Sequence, residues 1–129
     1  RFAQASGERT PLYTDEAYAR RSRYGSLIAP PTYVLRPPYG LWETGGRGEA
    51  AVPQVEVPGA RRGVNAGNEV EFFRPLRPGD TVTQRAHIAD IFERLGRSGP
   101  MLFIVAETVY TNQKGELLAI GRQTTIRMP

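Results

Sequence analysis

The chain has 129 residues, of which 40% are hydrophobic and 23% charged, and its formal net charge is +4. It contains no cysteine, which excludes disulfides, thiolate nucleophiles and cysteine-ligated zinc, and no apolar run approaches the roughly 18 residues of a membrane span. These features, with arginines scattered rather than gathered into a basic patch, favour a soluble cytoplasmic protein, compact as a single domain over residues 1–129, and argue against nucleic-acid binding.

The N-terminal part of the chain predicts two short helices. The first residue is Arg1 rather than methionine, so we expect a truncated N-terminus. Thr14 or Asp15 is suited to cap a helix over about residues 15–22. A second, mostly buried helix is expected around residues 31–36, because prolines are tolerated in a first helical turn.

A long loop follows at residues 36–63, which hold six glycines and four prolines. This composition opposes a regular element. Loops of this length in compact domains usually cover a site or contact a partner, and Trp42 offers this one an apolar anchor.

From Val64 onward the pattern is that of strands. The segment ending near Phe73, the turn at 75–80 and the alternating segment 81–93 together predict a β-hairpin. Residues 101–112 are apolar on both alternating sets at their start, as in a central strand, and a last strand follows the turn Asn-Gln-Lys-Gly. Helices followed by strands predict an α+β domain with an antiparallel sheet of three or four strands.

The residue types alone do not assemble an active site. His87, the single histidine, lies within a predicted strand between Ala86 and Ile88, and we interpret it as an ordinary strand residue. The sequence has neither an HxxxH motif nor paired carboxylates at ligand spacing, so we expect no metal and no cofactor.

Two separated segments resemble one family. Residues 2–34, which begin "FAQASGERTPLYTDEAYARR", and the segment "GNEVEFFRPLRPGDTV" resemble the MaoC-like hot-dog hydratases, in the FAS1-like dehydratase or MaoC N-terminal-domain branch. The resemblance is to the non-catalytic subunits of heterodimeric (3R)-hydroxyacyl thioester dehydratases. It implies a hot-dog fold, with an antiparallel sheet around a central helix, that pairs into a double hot dog. The implied reaction is reversible hydration of an enoyl thioester carried by CoA or acyl carrier protein.

Active members of that family read Gly-Asp-x-Asn-Pro-x-His in the N-terminal loop and polarise the thioester carbonyl with a backbone N–H at the start of the central helix. Gly7 and Pro11 match this pattern. Four positions depart from it, where the family has Asp, Asn, His and the amide-donating glycine: Glu8, Thr10, Tyr13 and Pro31. Tyrosine is a poor proton acceptor at neutral pH, since its ordinary side-chain pKa is about 10 against about 6.5 for histidine, and proline has no N–H.

The preferred interpretation is a substrate-cradling, non-catalytic subunit that works with a second MaoC-type chain, or pairs with itself, on an acyl-CoA or acyl-ACP thioester. Two alternatives stay open: a stand-alone hydratase using Glu8 and Tyr13, and an acyl-CoA-binding module without catalysis. A hot-dog thioesterase is disfavoured because residues 30–36 contain no acid. Candidates for shaping the acyl path or the dimer contact, with core packing as the alternative, are Thr32, Tyr33, Val34, Tyr39 and Trp42. Candidates for reaching carrier phosphates, with a solvated surface charge as the alternative, are Arg61, Arg62, Arg94 and Arg97.

Overall fold

A computed structural model describes residues 2–35, 53, 55–97 and 99–129. The helical elements are short: α1 at Phe2–Ala5, a 3₁₀ helix at Pro11–Tyr13, α2 at Glu16–Arg21 and a second 3₁₀ helix at Pro31–Leu35. The strands are β1 at Arg62–Phe72, β2 at Thr83–Gly96, β3 at Gly99–Thr111 and β4 at Leu117–Met128.

Both predicted helical segments are present, and α2 is slightly shorter than its prediction. Helix α2 begins after Asp15, whose Oδ1 accepts a hydrogen bond from the Tyr18 N–H at 3.0 Å. A carboxylate at this position satisfies an amide that would otherwise lack an intrahelical partner. The second element is a 3₁₀ helix at Pro31–Leu35, in which Val34 is buried while Pro31 and Thr32 are exposed, so the prediction of a mostly buried helix is wrong.

The four strands form one sheet in the order β1-β4-β3-β2. The predicted β-hairpin of residues 64–93 is therefore wrong: β1 and β2 follow each other in the chain but lie at opposite edges of the sheet. β1 instead runs antiparallel to β4, with the Arg61 N–H bonded to the Met128 carbonyl at 2.9 Å and the Phe73 N–H to the Leu118 carbonyl at 2.9 Å. The prediction that the strand after Pro100 is central is confirmed, because β3 lies between β4 and β2.

The connection from β1 to β2 explains the absence of a hairpin. It does not fold β2 back on β1, but is held by the turn between β3 and β4. The Thr81 N–H donates to Gln113 Oε1 at 3.0 Å, and Gln113 Nε2 donates to Asp80 Oδ1 at 3.0 Å. A local turn signal at residues 75–80 marks a chain reversal but does not specify which strand becomes the neighbour.

The described residues fall into two compact units. The first contains residues 2–35, 72–83 and 110–119, and the second contains residues 53, 55–71, 84–97, 99–109 and 120–129. The core of the first unit is formed by Ala3, Ala19, Ile28, Val34, Tyr110, Leu118 and Ala119. In the second unit, alternate residues of β3 are buried, namely Ile104, Ala106 and Thr108.

In the described part of the chain, no helix has both the length and the apolar character needed to cross a membrane.

Candidate functional site

The N-terminal loop that resembles a hydratase loop is a well-defined series of turns. Gly7 has φ +72°, a left-handed conformation that glycine adopts without steric cost. The next amide, that of Glu8, donates to the Ala3 carbonyl at 2.8 Å. Thr10 then precedes the 3₁₀ helix at Pro11–Tyr13, where Pro11 occupies the first turn. The backbone of this loop is therefore fixed by residues that match the family pattern.

The carboxylate of Glu8 is bound within the loop itself. Glu8 Oε1 accepts hydrogen bonds from the Thr10 hydroxyl at 2.6 Å and from the Thr10 N–H at 3.0 Å. These bonds, the hydroxyl first, hold the pKa of Glu8 below its ordinary value of 4.5 because they favour the charged form. Glu8 is exposed, and a lowered pKa makes its carboxylate a weaker proton acceptor.

A cavity of about 350 Å³ lies in the first unit beside this loop. Tyr13 and Pro31 both line it, so the structure brings together the two positions where active hydratases would carry the histidine and the amide donor. Two backbone bonds hold the segments of its wall, from the Ala29 N–H to the Leu76 carbonyl at 2.8 Å and from the Ile28 N–H to the Leu12 carbonyl at 3.3 Å.

The cavity wall is mostly apolar and its charges are positive. Its apolar part includes Leu12, Ile28, Val34, Phe72, Phe73 and Leu76. Its other residues include Tyr13, Tyr24, Arg23 and Arg74. None of the described residues that line it is Asp or Glu. Apolar walls with a few placed polar groups are typical of small-molecule sites of about 300–1,000 Å³.

The other residues proposed from the sequence are distributed as follows. Glu8, Thr10, Thr32 and Tyr33 are absent from the cavity lining, and the Tyr33 ring instead packs edge-on against Phe2, with ring centroids 5.1 Å apart. Val34 lines the cavity. Tyr39 and Trp42 lie outside the described residues, as does most of the predicted 36–63 loop, whose last two positions instead open β1.

The four arginines that were proposed from the sequence, and His87, belong to the second unit. Arg61 and Arg62 are exposed where β1 begins. Arg94 lies over the stacked rings of Phe92 and Phe103, with its guanidinium carbon 5.3 and 5.6 Å from their centroids. Arg97 is exposed in the turn after β2.

His87 faces Glu107 across the sheet, with Nε2 and Oε1 separated by 3.6 Å. Arg122 donates to the same carboxylate from Nε at 2.7 Å. Arg122 and Glu107 thus form an ion pair between strands, and His87 lies beside it. The described residues contain no group of three or more His, Cys, Asp or Glu that could hold a metal.

The cationic and aromatic side of the cavity was not predicted from the sequence. Arg23 and Tyr24 come from the segment after α2, while Phe72, Phe73 and Arg74 come from the end of β1. Both segments place an arginine directly beside an aromatic residue, in "RYG" and "FFRP", and this was the available signal. Their juxtaposition depends on tertiary contacts about 50 residues apart, such as Arg77 Nη1 donating to the Tyr24 carbonyl at 2.7 Å.

Known proteins resemble this chain over most of its length. The family "FAS1-like, dehydratase domain region" matches residues 1–120. A UPF0336 protein of Thermobifida fusca is 34% identical over 111 residues, which cover 85% of this chain and 68% of that protein. A probable enoyl-CoA hydratase alpha subunit of Thermomonospora curvata is 27% identical and covers 98% of this chain, which spans 42% of that relative.

Solved structures of similar fold include complexes of two different subunits. The C-terminally truncated HadBC (3R-hydroxyacyl-ACP dehydratase) complex of Mycobacterium tuberculosis contains a chain that superposes with a TM-score of 0.68 at 26% identity. The match covers 97% of this chain and 81% of that one.

Proposed function

Because the chain belongs to the FAS1-like dehydratase family, with the hot-dog fold of MaoC-like dehydratases, we propose that it is a substrate-cradling, non-catalytic subunit of an enoyl-thioester hydratase or dehydratase. A partner MaoC-type chain supplies the catalytic Asp and His. The ligand is an acyl-CoA or acyl-ACP thioester.

The observation that carries this proposal is the cavity shared by Tyr13 and Pro31. In the family pattern, these positions hold the proton-transferring histidine and the glycine whose N–H polarises the carbonyl. Proline has no N–H, and a phenol does not accept a proton readily at neutral pH. General-base and oxyanion interactions each contribute about 10²-fold or more to rate, so a chain without both is expected to have little activity alone.

The state of Glu8 supports the same interpretation. Its carboxylate accepts two hydrogen bonds from Thr10 and is exposed, whereas Tyr13 lines the cavity. The two bonds that Glu8 Oε1 accepts favour the charged form and lower the basicity of the carboxylate, and Glu8 is not among the described residues that line the cavity. This argues against the alternative of a stand-alone hydratase that uses Glu8 and Tyr13.

A partner chain is supported by strand β2, which lies at an edge of the sheet. An unpaired edge strand presents backbone groups that can pair with another chain. Its side chains Ile91 and Leu95 are 47% and 85% exposed, a large apolar exposure for one strand. Relatives named as an alpha subunit and as a two-subunit dehydratase complex are consistent with such a partner.

The test compares crotonyl-CoA hydration by the purified chain with that of the chain co-expressed with a MaoC-type subunit carrying the Gly-Asp-x-Asn-Pro-x-His loop. We expect hydration by the complex and no turnover above background by the isolated chain. In the complex, Glu8→Gln and Tyr13→Phe are each expected to change kcat by less than about threefold, against losses of about 10²–10⁴-fold for a general acid or base. Robust turnover by the isolated chain that either substitution abolishes would overturn the proposal.

A further inference from the structure

The charge of the cavity wall is one-sided. Arg23 and Arg74 line the cavity, and none of its described lining residues is acidic. The rest of the wall is apolar or aromatic. Such a wall fits a ligand with an apolar chain and a negative group, because the apolar residues can pack against the chain and the arginines can bind the negative group.

Arg23 is held in place by its neighbour Tyr24. Its Nη2 donates to the Tyr24 hydroxyl at 2.6 Å, and its guanidinium carbon lies 4.8 Å from the centroid of the Tyr24 ring. The Tyr24 backbone is in turn fixed by Arg77, which also donates to the Ser26 hydroxyl. A guanidinium stacked on an aromatic ring is pre-organised, which reduces the entropy lost when it binds an anion.

Arg74 is fixed through its backbone and only loosely paired through its side chain. Its N–H donates to the Leu118 carbonyl at 3.3 Å. Its Nη1 lies 3.7 Å from Glu116 Oε1, while the other oxygen of Glu116 accepts from Asn112 Nδ2 at 2.8 Å. A guanidinium has five N–H donors, so this single long ion pair leaves donors for a ligand.

We propose that Arg23 and Arg74 together bind the anionic group of a ligand whose acyl chain occupies the cavity. This inference rests on the proposed function and identifies residues that recognise the acyl ligand. The shared ligand chemistry is an acyl chain with a negative group, which is a phosphate in a thioester carrier and a carboxylate in a free fatty acid.

The experiment is calorimetry on the full chain with octanoyl-CoA, octanoate and uncharged octanol. Arg23→Gln and Arg74→Gln are each expected to weaken octanoyl-CoA binding by about threefold to tenfold at low salt, and to leave octanol binding within about twofold. Arg23→Lys and Arg74→Lys keep the charge and should lose less. The matched control is Arg20→Gln, which removes the same charge from the exposed surface of α2, outside the cavity lining, and should bind all three ligands as the unmodified chain does.

The octanoate titration identifies the anion. If octanoate binding depends on the two arginines as strongly as octanoyl-CoA binding does, a carboxylate is sufficient as the anionic group. If only octanoyl-CoA binding depends on them, the phosphates are the anionic group. Both results support the inference. Three results would overturn the inference: octanoyl-CoA binding that is unchanged in Arg23→Gln and Arg74→Gln, an equal loss of octanoyl-CoA binding in Arg20→Gln, or an equal loss of octanol binding in the two cavity variants.

Hydration by the two-subunit complex, measured in parallel, separates the two proposals. If the complex is active, and Arg23→Gln and Arg74→Gln change neither its KM nor octanoyl-CoA binding, the arginine site is refuted and the proposed function stands. If octanoyl-CoA binding depends on the two arginines but no complex of the chain hydrates an enoyl thioester, the proposed function is refuted and the arginine site stands.

Discussion

Replacing Leu118 with alanine is expected to destabilise the chain by about 2.5–4 kcal/mol. Leu118 is 1% exposed and is the largest fully buried side chain among the described residues. The change removes three carbon atoms, and at about 0.8 kcal/mol per buried methylene the lost transfer energy is about 2.4 kcal/mol. The cavity left behind adds to this, and measured Leu→Ala losses in cores reach about 5 kcal/mol.

Urea unfolding of the isolated chain, followed by circular dichroism, measures this loss. The matched control is Leu95→Ala, the same chemical change at a side chain that is 85% exposed, where we expect a loss below about 1 kcal/mol. The slope of free energy against urea should be unchanged in both variants. A loss below about 1 kcal/mol for Leu118→Ala, or equal losses at the two positions, would refute the assignment of Leu118 to the core.

Two further predictions concern the loop and the partner. Thr10→Val should raise the pKa of Glu8 toward 4.5 without restoring it fully, because the hydroxyl bond is lost and the Thr10 N–H remains; Thr10→Ser keeps the hydroxyl and should not. Because the pKa of Glu8 is lower in the folded chain than in the unfolded one, Glu8 stabilises the fold above about pH 4.5, and this stabilisation is lost as the pH falls through the folded pKa. Thr10→Val should therefore reduce the loss of folding stability at acid pH. Carbon NMR titration of the Glu8 carboxyl measures the shift, and an unchanged or lower value would contradict the cause assigned here. Leu95→Ala should weaken association with the partner subunit by about tenfold while the isolated chain keeps its stability. Native mass spectrometry measures the complex, and equal amounts of complex for the variant and the unmodified chain would count against β2 as the contact.

Local signals in the sequence predicted the local structure correctly. The sequence offered Thr14 or Asp15 as the cap of α2, and the structure shows the cap hydrogen bond at Asp15. The apolar run after Pro100 predicted a central strand, and β3 has neighbours on both sides. Each of these features depends on residues within one element, so the pattern of that element is sufficient to predict it.

Features that depend on distant segments were not predictable in the same way. Which strand pairs with β1 is decided by β4, whose Leu118 carbonyl receives the Phe73 N–H. The cationic side of the cavity likewise requires the segment of Tyr24 to lie against that of Arg77, 53 positions further along the chain. Neither partnership leaves a period or a spacing in the sequence, and this is why the hairpin was predicted wrongly and Arg23 and Arg74 were missed.

Under the proposed function, the loop at residues 7–15 keeps the backbone of the family pattern without its proton-transferring side chains. The turn at Gly7 and the first-turn proline Pro11 depend on backbone conformation, and both are present. The side chain of Glu8 instead satisfies Thr10, two residues away, so the carboxylate contributes to the conformation of the loop. An arrangement that fixes a carboxylate within its own loop while two arginines face an apolar cavity favours binding an acyl anion over moving a proton. The two proposals therefore predict opposite effects at these residues: Arg23→Gln and Arg74→Gln should weaken acyl-CoA binding, whereas Glu8→Gln should leave kcat of the complex within about threefold.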